Sequence, residues 1–144
     1  MGTVSYDEDF YAWAKRNAEL MREGRLSEVE IEHIAEELES MTRSEKRELT
    51  NRLAVLIAHL LKWQFQPERR SNSCKNTIEV QREDVAELIE ESPSLRHEID
   101  ADLGRAYKKA IRLAAAETGV STETFPTVCP YSFDEIVAEG FWPA

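Results

Sequence analysis

The sequence has few cysteines and no long apolar run, and both absences exclude whole classes of protein. Its two cysteines, Cys74 and Cys129, are too few and too far apart for a disulfide framework, a zinc module or a CxxC redox pair. We predict two free thiols. No window of about 18 apolar residues is present to span a membrane, and the N-terminus MGTVSYDEDF carries acids where a signal peptide carries bases. These features predict a cytoplasmic protein without a membrane partner.

Positive charge is also scarce. The chain of 144 residues has 28 acidic and 18 basic side chains, so its formal net charge is −10. Nucleic acids and anionic membranes repel acidic proteins, and this balance therefore argues against a general role on either surface. The length suits one domain, which we predict to span residues 1–144.

The most apolar stretch, Glu48–Gln66, is the segment around which the chain is organised. Between Leu53 and Leu61 every residue is apolar except His59. A surface helix shows polar residues on about half of its circumference, so this pattern predicts a buried central helix. Pro67 ends it, because the residue before a proline is driven out of the helical region.

Two helical patterns precede this segment. Ser5 is a suitable N-cap for a helix over Tyr6–Glu23, and Gly24 provides the C-terminal stop. Ser27 followed by Glu30 forms the capping-box pattern at the start of the second helix. The apolar stripe of that second helix consists of Ile31, Ile34, Ala35, Leu38 and Met41.

The connection between the second and the central helix has two interpretations. The polar run Thr42–Lys46 contains neither glycine nor proline, so residues 27–66 form either one kinked helix or two helices. Ser44 as an N-cap favours a break. The sequence leaves both interpretations open.

The second half of the chain predicts further helices over Cys74–Glu91 and Ser94–Thr118, and Gly119 ends the latter. Ser132 can cap a short helix over Phe133–Glu139. The last segment is rich in aromatic residues, which indicates that it packs on the bundle, because disordered tails are poor in them. We find no strand pattern. The fold class is therefore all-α, an irregular bundle of four or five main helices with a short C-terminal helix and an aromatic tail packed on it.

Seven separated motifs resemble one known family. In chain order they are Tyr6-x-x-Asp9-Phe10-Tyr11-x-Trp13, Ala35-Glu36-Glu37, His59-Leu60-Leu61-Lys62-Trp63, Ser71-x-Ser73, Thr77-Ile78-x-x-Gln81-Arg82, Ser92-Pro93-Ser94-Leu95 and Cys129-Pro130-Tyr131. Over nearly the whole chain they are similar to the bacterial family catalogued as domain of unknown function twenty-nine. The resemblance implies a helical cytosolic fold, and it implies no activity and no catalytic residue.

Polar residues at largely apolar positions are the first candidates for chemistry. Glu37 lies beside the apolar stripe, where we favour a structural ion pair with an arginine of a neighbouring helix over acid/base catalysis. His59 occupies the one polar position of the central helix, and we favour a core histidine satisfied by a hydrogen bond over a catalytic or binding role. A nucleophile–base pair of Cys74 and His59 lacks a third residue to orient it.

No metal site and no cofactor are predicted. Glu30 and His33 have the Glu-x-x-His spacing of di-iron bundles, but neither His59 nor His97 has a glutamate three residues before it. A solvated acidic face is the favoured interpretation of Glu30 and its acidic neighbours.

Residues 62–82 form the one basic segment, with five bases against two acids and a net charge of +3. The segment includes the connector after the central helix, and connectors carry binding residues more often than helix interiors do. Its cations, aromatics and hydroxyls suit phosphate or single-stranded nucleic acid. The alternative is that the bases only neutralise acidic helices. The candidate binding residues are Lys62, Trp63, Arg69, Arg70, Ser71, Ser73 and Arg82.

Three functions from different classes stay open. We rank first a small helical interaction or regulatory module with a protein partner, because no catalytic motif is recognised. The second is a binder of nucleic acid or of a phosphate-bearing ligand through residues 62–82, whose affinity would fall steeply with salt. The third is an enzyme with an unrecognised site around Glu37, His59 and Arg82, which requires a concave pocket that joins them.

Overall fold

The computed structural model describes residues 4–144, and every regular element within this range is helical. The α-helices are α1 (Phe10–Arg22), α2 (Ile31–Phe65), α3 (Asn72–Glu91), α4 (Ile99–Thr118) and α5 (Phe133–Val137). Short 3-10 turns lie between them at Leu26–Glu28, Pro67–Arg69, Pro93–Glu98 and Thr122–Thr124. The predicted all-α fold is confirmed. No helix in this range combines the length and the apolar character that crossing a membrane requires.

The chain forms two compact units whose boundary falls within α2. The first unit ends at Ser44, and the second is Glu45–Ala144. A single domain over residues 1–144 stays a prediction.

Residues 31–65 form one helix of 35 residues, which answers the open question about the connection before the central segment. The polar run Thr42–Lys46 stays helical because it contains no residue that breaks a helix. The Thr42 hydroxyl donates to the carbonyl of Glu39 at 2.7 Å, so this side chain bonds to the helix and does not compete with it. Ser44 is therefore an interior residue of α2 and not an N-cap.

The first unit joins α1 to the start of α2 through buried polar contacts. Trp13, which is almost fully buried, donates from Nε1 to Glu30 Oε2 at 2.5 Å. Asn17 is buried beside it and accepts the Glu30 backbone N–H through Oδ1 at 3.0 Å. The Tyr6 ring stacks on His33 with centroids 4.3 Å apart and meets Trp13 edge-on at 4.7 Å. A small aromatic cluster therefore takes the place of an aliphatic core here.

Both predicted N-caps in this unit are wrong. α1 begins at Phe10, and Asp9 caps it by accepting the Ala12 N–H at 3.1 Å. Ser5 lies in the preceding turn, where its carbonyl accepts the Asp9 N–H. Ser27 belongs to a 3-10 turn, and Glu30 only precedes α2, so the expected capping box does not form.

Most of the predicted apolar stripe in the second helix faces solvent. Ile31, Leu38 and Met41 are 65%, 59% and 63% exposed. Helical spacing of apolar residues predicts that they share a face, and it does not by itself say what covers that face. The interior of this unit is instead built from α1 and the aromatic cluster.

The second unit has a large aliphatic core. From α2 it takes Leu49, Leu53, Ala54, Leu56, Ile57, Ala58, Leu60 and Leu61, all of them buried, as the sequence predicts. The α3 and α4 helices add Ile78, Val85, Ile99 and Ala106. Gly119 ends α4 in the left-handed conformation at φ +76°, which a residue with a side chain adopts only with strain.

The aromatic tail packs on this core, as predicted. Trp142 lies 4.8 Å from Trp63, centroid to centroid, and Phe125 meets Phe65 edge-on at 5.9 Å. The short α5 starts with a complete capping box between Ser132 and Glu135. The tail is thereby held against the end of α2.

Candidate anion-binding site

A cleft of about 360 Å³ lies in the second unit, between the end of α2, the start of α3 and the end of α4. Its lining side chains come from α2 (His59, Lys62), from the connector (Arg69, Ser71), from α3 (Ser73, Cys74) and from α4 (Glu117, Thr118). Four of the seven predicted binding residues are thus brought together, and they are Lys62, Arg69, Ser71 and Ser73.

The connector positions these groups through local backbone rules. Pro67 stops α2 after Phe65 and starts a 3-10 turn, which carries Arg69. Ser71 then caps α3, accepting the Cys74 N–H through its hydroxyl at 3.1 Å. The first backbone N–H groups of a helix have no partner within it, and together they form its positive end. The cleft therefore borders a helix terminus that favours negative charge.

Two cations line the cleft, and only one of them is paired with an acid. Lys62 forms an ion pair with Glu117, which also lines the cleft. An ammonium group has three N–H donors, so this pair leaves Lys62 able to bind a second acceptor. Arg69 is exposed, and within residues 4–144 its guanidinium has neither an ion pair nor a side-chain hydrogen bond. A free guanidinium is a strong group for binding phosphate or carboxylate.

His59 contributes a neutral imidazole. Its Nδ1 lies 2.9 Å from the carbonyl of Val55, an acceptor, so Nδ1 carries the hydrogen and the lone pair is on Nε2. Burial lowers the pKa of His59 below its ordinary value and outweighs the hydrogen bond to Val55, which raises it. The residue is half-buried rather than fully buried, and it is satisfied by a backbone hydrogen bond.

Cys74 is not activated as a nucleophile. Its Sγ lies 3.9 Å from the backbone carbonyl of His59, and the hydrogen bond is to that carbonyl rather than to the ring. Burial raises the pKa of the Cys74 thiol, which keeps it protonated at neutral pH. Cys74 and Cys129 are both free thiols, as predicted.

Trp63 and Arg70 do not line the cleft. The Arg70 guanidinium lies 5.1 Å from the centre of the Trp63 ring, and its Nε donates to the Trp63 carbonyl at 2.7 Å. Trp63 in turn packs on Trp142. Both side chains therefore hold the aromatic tail and the connector together.

Arg82 is a structural residue and not a member of the cleft. It is buried, and it donates to the backbone carbonyls of Ile136 at 2.8 Å and Phe141 at 2.6 Å. A third bond reaches Glu139 O at 3.4 Å, and Trp142 covers the guanidinium at 5.3 Å. Burial lowers the pKa of Arg82. The guanidinium thus binds the tail through the main-chain carbonyls of the tail.

Glu37 pairs with a tyrosine and not with the predicted arginine. It lies half-buried in the first unit and accepts a hydrogen bond from the Tyr6 hydroxyl. This bond raises the pKa of Tyr6 to about 12.

His59 and Arg82 line different pockets of the second unit, so these two residues do not share the concave pocket that the predicted enzyme site requires.

Metal ligands do not cluster in the part of the chain that the structure describes. Within it, no group of three or more histidine, cysteine, aspartate or glutamate side chains could hold a metal ion. His33 Nδ1 lies 3.2 Å from Glu30 Oε1, which makes this pair an internal contact of the first unit.

Sequence reasoning missed Glu117 and Thr118, the α4 side of the cleft. Glu117 pairs with Lys62, which is 55 positions earlier, and Thr118 donates to the Ala114 carbonyl at 2.6 Å. No local pattern indicates that either residue lines a site. The sequence shows only that both precede Gly119 and therefore lie at the end of the helix.

Comparison with known proteins identifies the family. The sequence matches the family described as Domain of unknown function DUF29 over residues 5–142. No curated protein and no solved structure matched the chain. Because the match covers nearly the full length, the chain belongs to the DUF29 family.

Proposed function

We propose that the second unit binds a small phosphate-bearing ligand in the cleft between α2, α3 and α4. The observation that carries the proposal is the grouping of Lys62 and Arg69 with the hydroxyls of Ser71 and Ser73 around one cavity. Charged donors and hydroxyls that converge from different elements are the usual recognition groups for phosphate oxygens.

The dimensions of the site favour a small ligand over a nucleic acid. A volume of about 360 Å³ suits a small molecule. The aromatic and planar groups that would stack on bases, Trp63 and Arg70, are occupied by each other and by Trp142. The net charge of −10 would also repel a polyanion at long range.

Glu117 allows a test by the sign of a change in phosphate affinity. Its carboxylate lines the same cleft and repels an anion, while its pairing partner Lys62 attracts one. Replacing Glu117 by glutamine should therefore tighten phosphate binding, whereas replacing either cation should weaken it.

The test is a titration of the full chain with inorganic phosphate at low ionic strength. Calorimetry and amide chemical shifts measure the binding. We expect Arg69→Gln to weaken binding at least about tenfold, since a charge-assisted hydrogen bond contributes about 1.5–3 kcal/mol. Arg105→Gln is the matched control, because it removes the same charge from an exposed position of α4 outside the cleft. Its affinity for phosphate should stay close to that of the wild type.

Two results would contradict the proposal. One is the absence of phosphate binding to the wild type at low salt. The other is an equal loss of affinity in the Arg69 and Arg105 variants, which would indicate a diffuse electrostatic attraction.

We also propose a cytoplasmic location, since both cysteines are free thiols and a reducing compartment maintains them.

A further inference from the structure

Exposed apolar side chains are concentrated in the first unit. Along α2, Ile31, Leu38 and Met41 follow one another at i, i+7 and i+10, so they lie on one face of the helix. All three are more than half exposed. Leu26, in the turn before the helix, is exposed as well. We call these four residues the apolar stripe of the first unit.

A pocket extends the stripe at its N-terminal end. This cavity of about 380 Å³ is lined by three apolar residues, Leu26, Val29 and Ile31, and by four polar residues of the same segment. Ile31 belongs both to the pocket and to the stripe. The stripe therefore has a pocket at its N-terminal end. Its residues on α2 form an apolar ridge that is about 15 Å long, given the helical rise per residue.

Unpaired carboxylates add to the negative charge of the first unit. Glu32, Glu36 and Glu39 lie on the side of α2 turned away from the stripe, and their side chains make no ion pair or hydrogen bond to residues that the structure describes. Residues 1–44 hold eleven acids against five bases, a net charge of −6. The first unit is therefore acidic.

We propose that this stripe binds an amphipathic helix of another protein that has an apolar seam and basic flanks. An apolar ridge about three turns long matches the i, i+3 or i+4, i+7 anchors of a helix. The basic flanks follow from charge complementarity with the net charge of −6 that residues 1–44 carry. A second copy of the chain is disfavoured, because its own first unit carries the same negative charge.

The experiment titrates the full chain with a labelled synthetic peptide that has leucine on one helical face and lysine and alanine elsewhere. A peptide of the same composition with its leucines scattered around the helix is the control ligand. We expect the amphipathic peptide to bind and the scattered one to bind at least about tenfold more weakly, since anchors contribute only when they share a face.

Variants of the chain locate the binding surface. Leu38→Ser combined with Met41→Ser should weaken binding of the amphipathic peptide at least about tenfold, because two central anchors are lost. The matched control is Val80→Ser with Val128→Ser, which removes two exposed apolar residues from the second unit and should leave the affinity unchanged. All four positions are exposed, so circular dichroism should report the same fold for every variant.

Four results would overturn the proposal. Equal affinity for the two peptides, or equal loss in the two double variants, would mean nonspecific attraction to an acidic surface. Failure of the amphipathic peptide to bind would exclude this class of partner. A dimer in sedimentation that the Leu38/Met41 variant disperses would assign the stripe to a second copy. Phosphate binding by that variant should be unchanged in every case, which separates this surface from the cleft.

Discussion

The two units of this chain use their apolar residues in opposite ways. In the second unit the aliphatic side chains of α2 are buried, except for the half-buried Val55, and they form the interior of the unit. In the first unit the described residues bury Trp13, Asn17 and Leu20, while Ile31, Leu38 and Met41 are exposed. Apolar periodicity therefore has two meanings within one continuous helix. One half of α2 stabilises the fold, and the other half exposes the apolar side chains that we propose for binding a partner helix.

The largest expected effect tests this contrast along α2 itself. Leu56→Ala removes a side chain with no exposed surface, and we expect it to lower the free energy of unfolding by about 2–5 kcal/mol. Leu38→Ala makes the same change on the exposed half and should stay within about 0.5 kcal/mol of the wild type. Urea unfolding followed by circular dichroism measures both. Similar losses in the two variants would abolish the contrast.

A smaller effect is expected from the polar interior of the first unit. Asn17→Ala leaves the Glu30 N–H without its acceptor, which should cost about 1–3 kcal/mol of local stability. Amide hydrogen exchange should accelerate in α1 while the amides of Leu53–Leu61 stay protected. Asn76→Ala, at an exposed position of α3, is the control. Equal acceleration in both regions would instead support the single domain predicted over residues 1–144.

The smallest effect concerns pH and the half-buried His59 of the second unit. Its pKa is lowered by burial, so the folded state binds fewer protons than the unfolded state below about pH 6.5. Stability should therefore fall as pH drops through this range. His59→Gln keeps a donor for the Val55 carbonyl but cannot be protonated. Its difference in unfolding free energy from the wild type should shrink between about pH 7 and about pH 5.

A constant difference across that range would show that His59 is not perturbed in the folded state. Phosphate gives an independent check, since a bound anion beside the ring should raise the pKa of His59. Histidine ring resonances, followed with and without phosphate, would measure the change.

Local sequence signals predicted the helix ends well where one residue type dominates the outcome. Pro67, Gly119 and Ser132 act through their own backbone or side chain, and each ends or starts a helix as expected. The signals failed where two residues compete. Ser5 and Asp9 both suit an N-cap, and it is Asp9 that accepts the Ala12 N–H at the start of α1.

The candidate site was predicted in part for the same reason. Lys62, Arg69, Ser71 and Ser73 are close in sequence, so the connector alone brings them together. Arg82 is also nearby in sequence, but its bonds reach carbonyls more than fifty residues later, and charge alone does not reveal them. Glu117 enters the cleft from α4, and its role depends on how α4 packs against α2.

The way Arg82 holds the tail has a consequence for how that segment can change. A guanidinium that binds main-chain carbonyls recognises the path of the backbone and not the identity of the side chains along it. Carbonyls also do not titrate, so this attachment persists in acid, where carboxylate ion pairs are lost. The Arg82 contacts therefore place no demand on the side chains between Ile136 and Phe141, and the charge of this stretch can change while its course over the bundle stays the same.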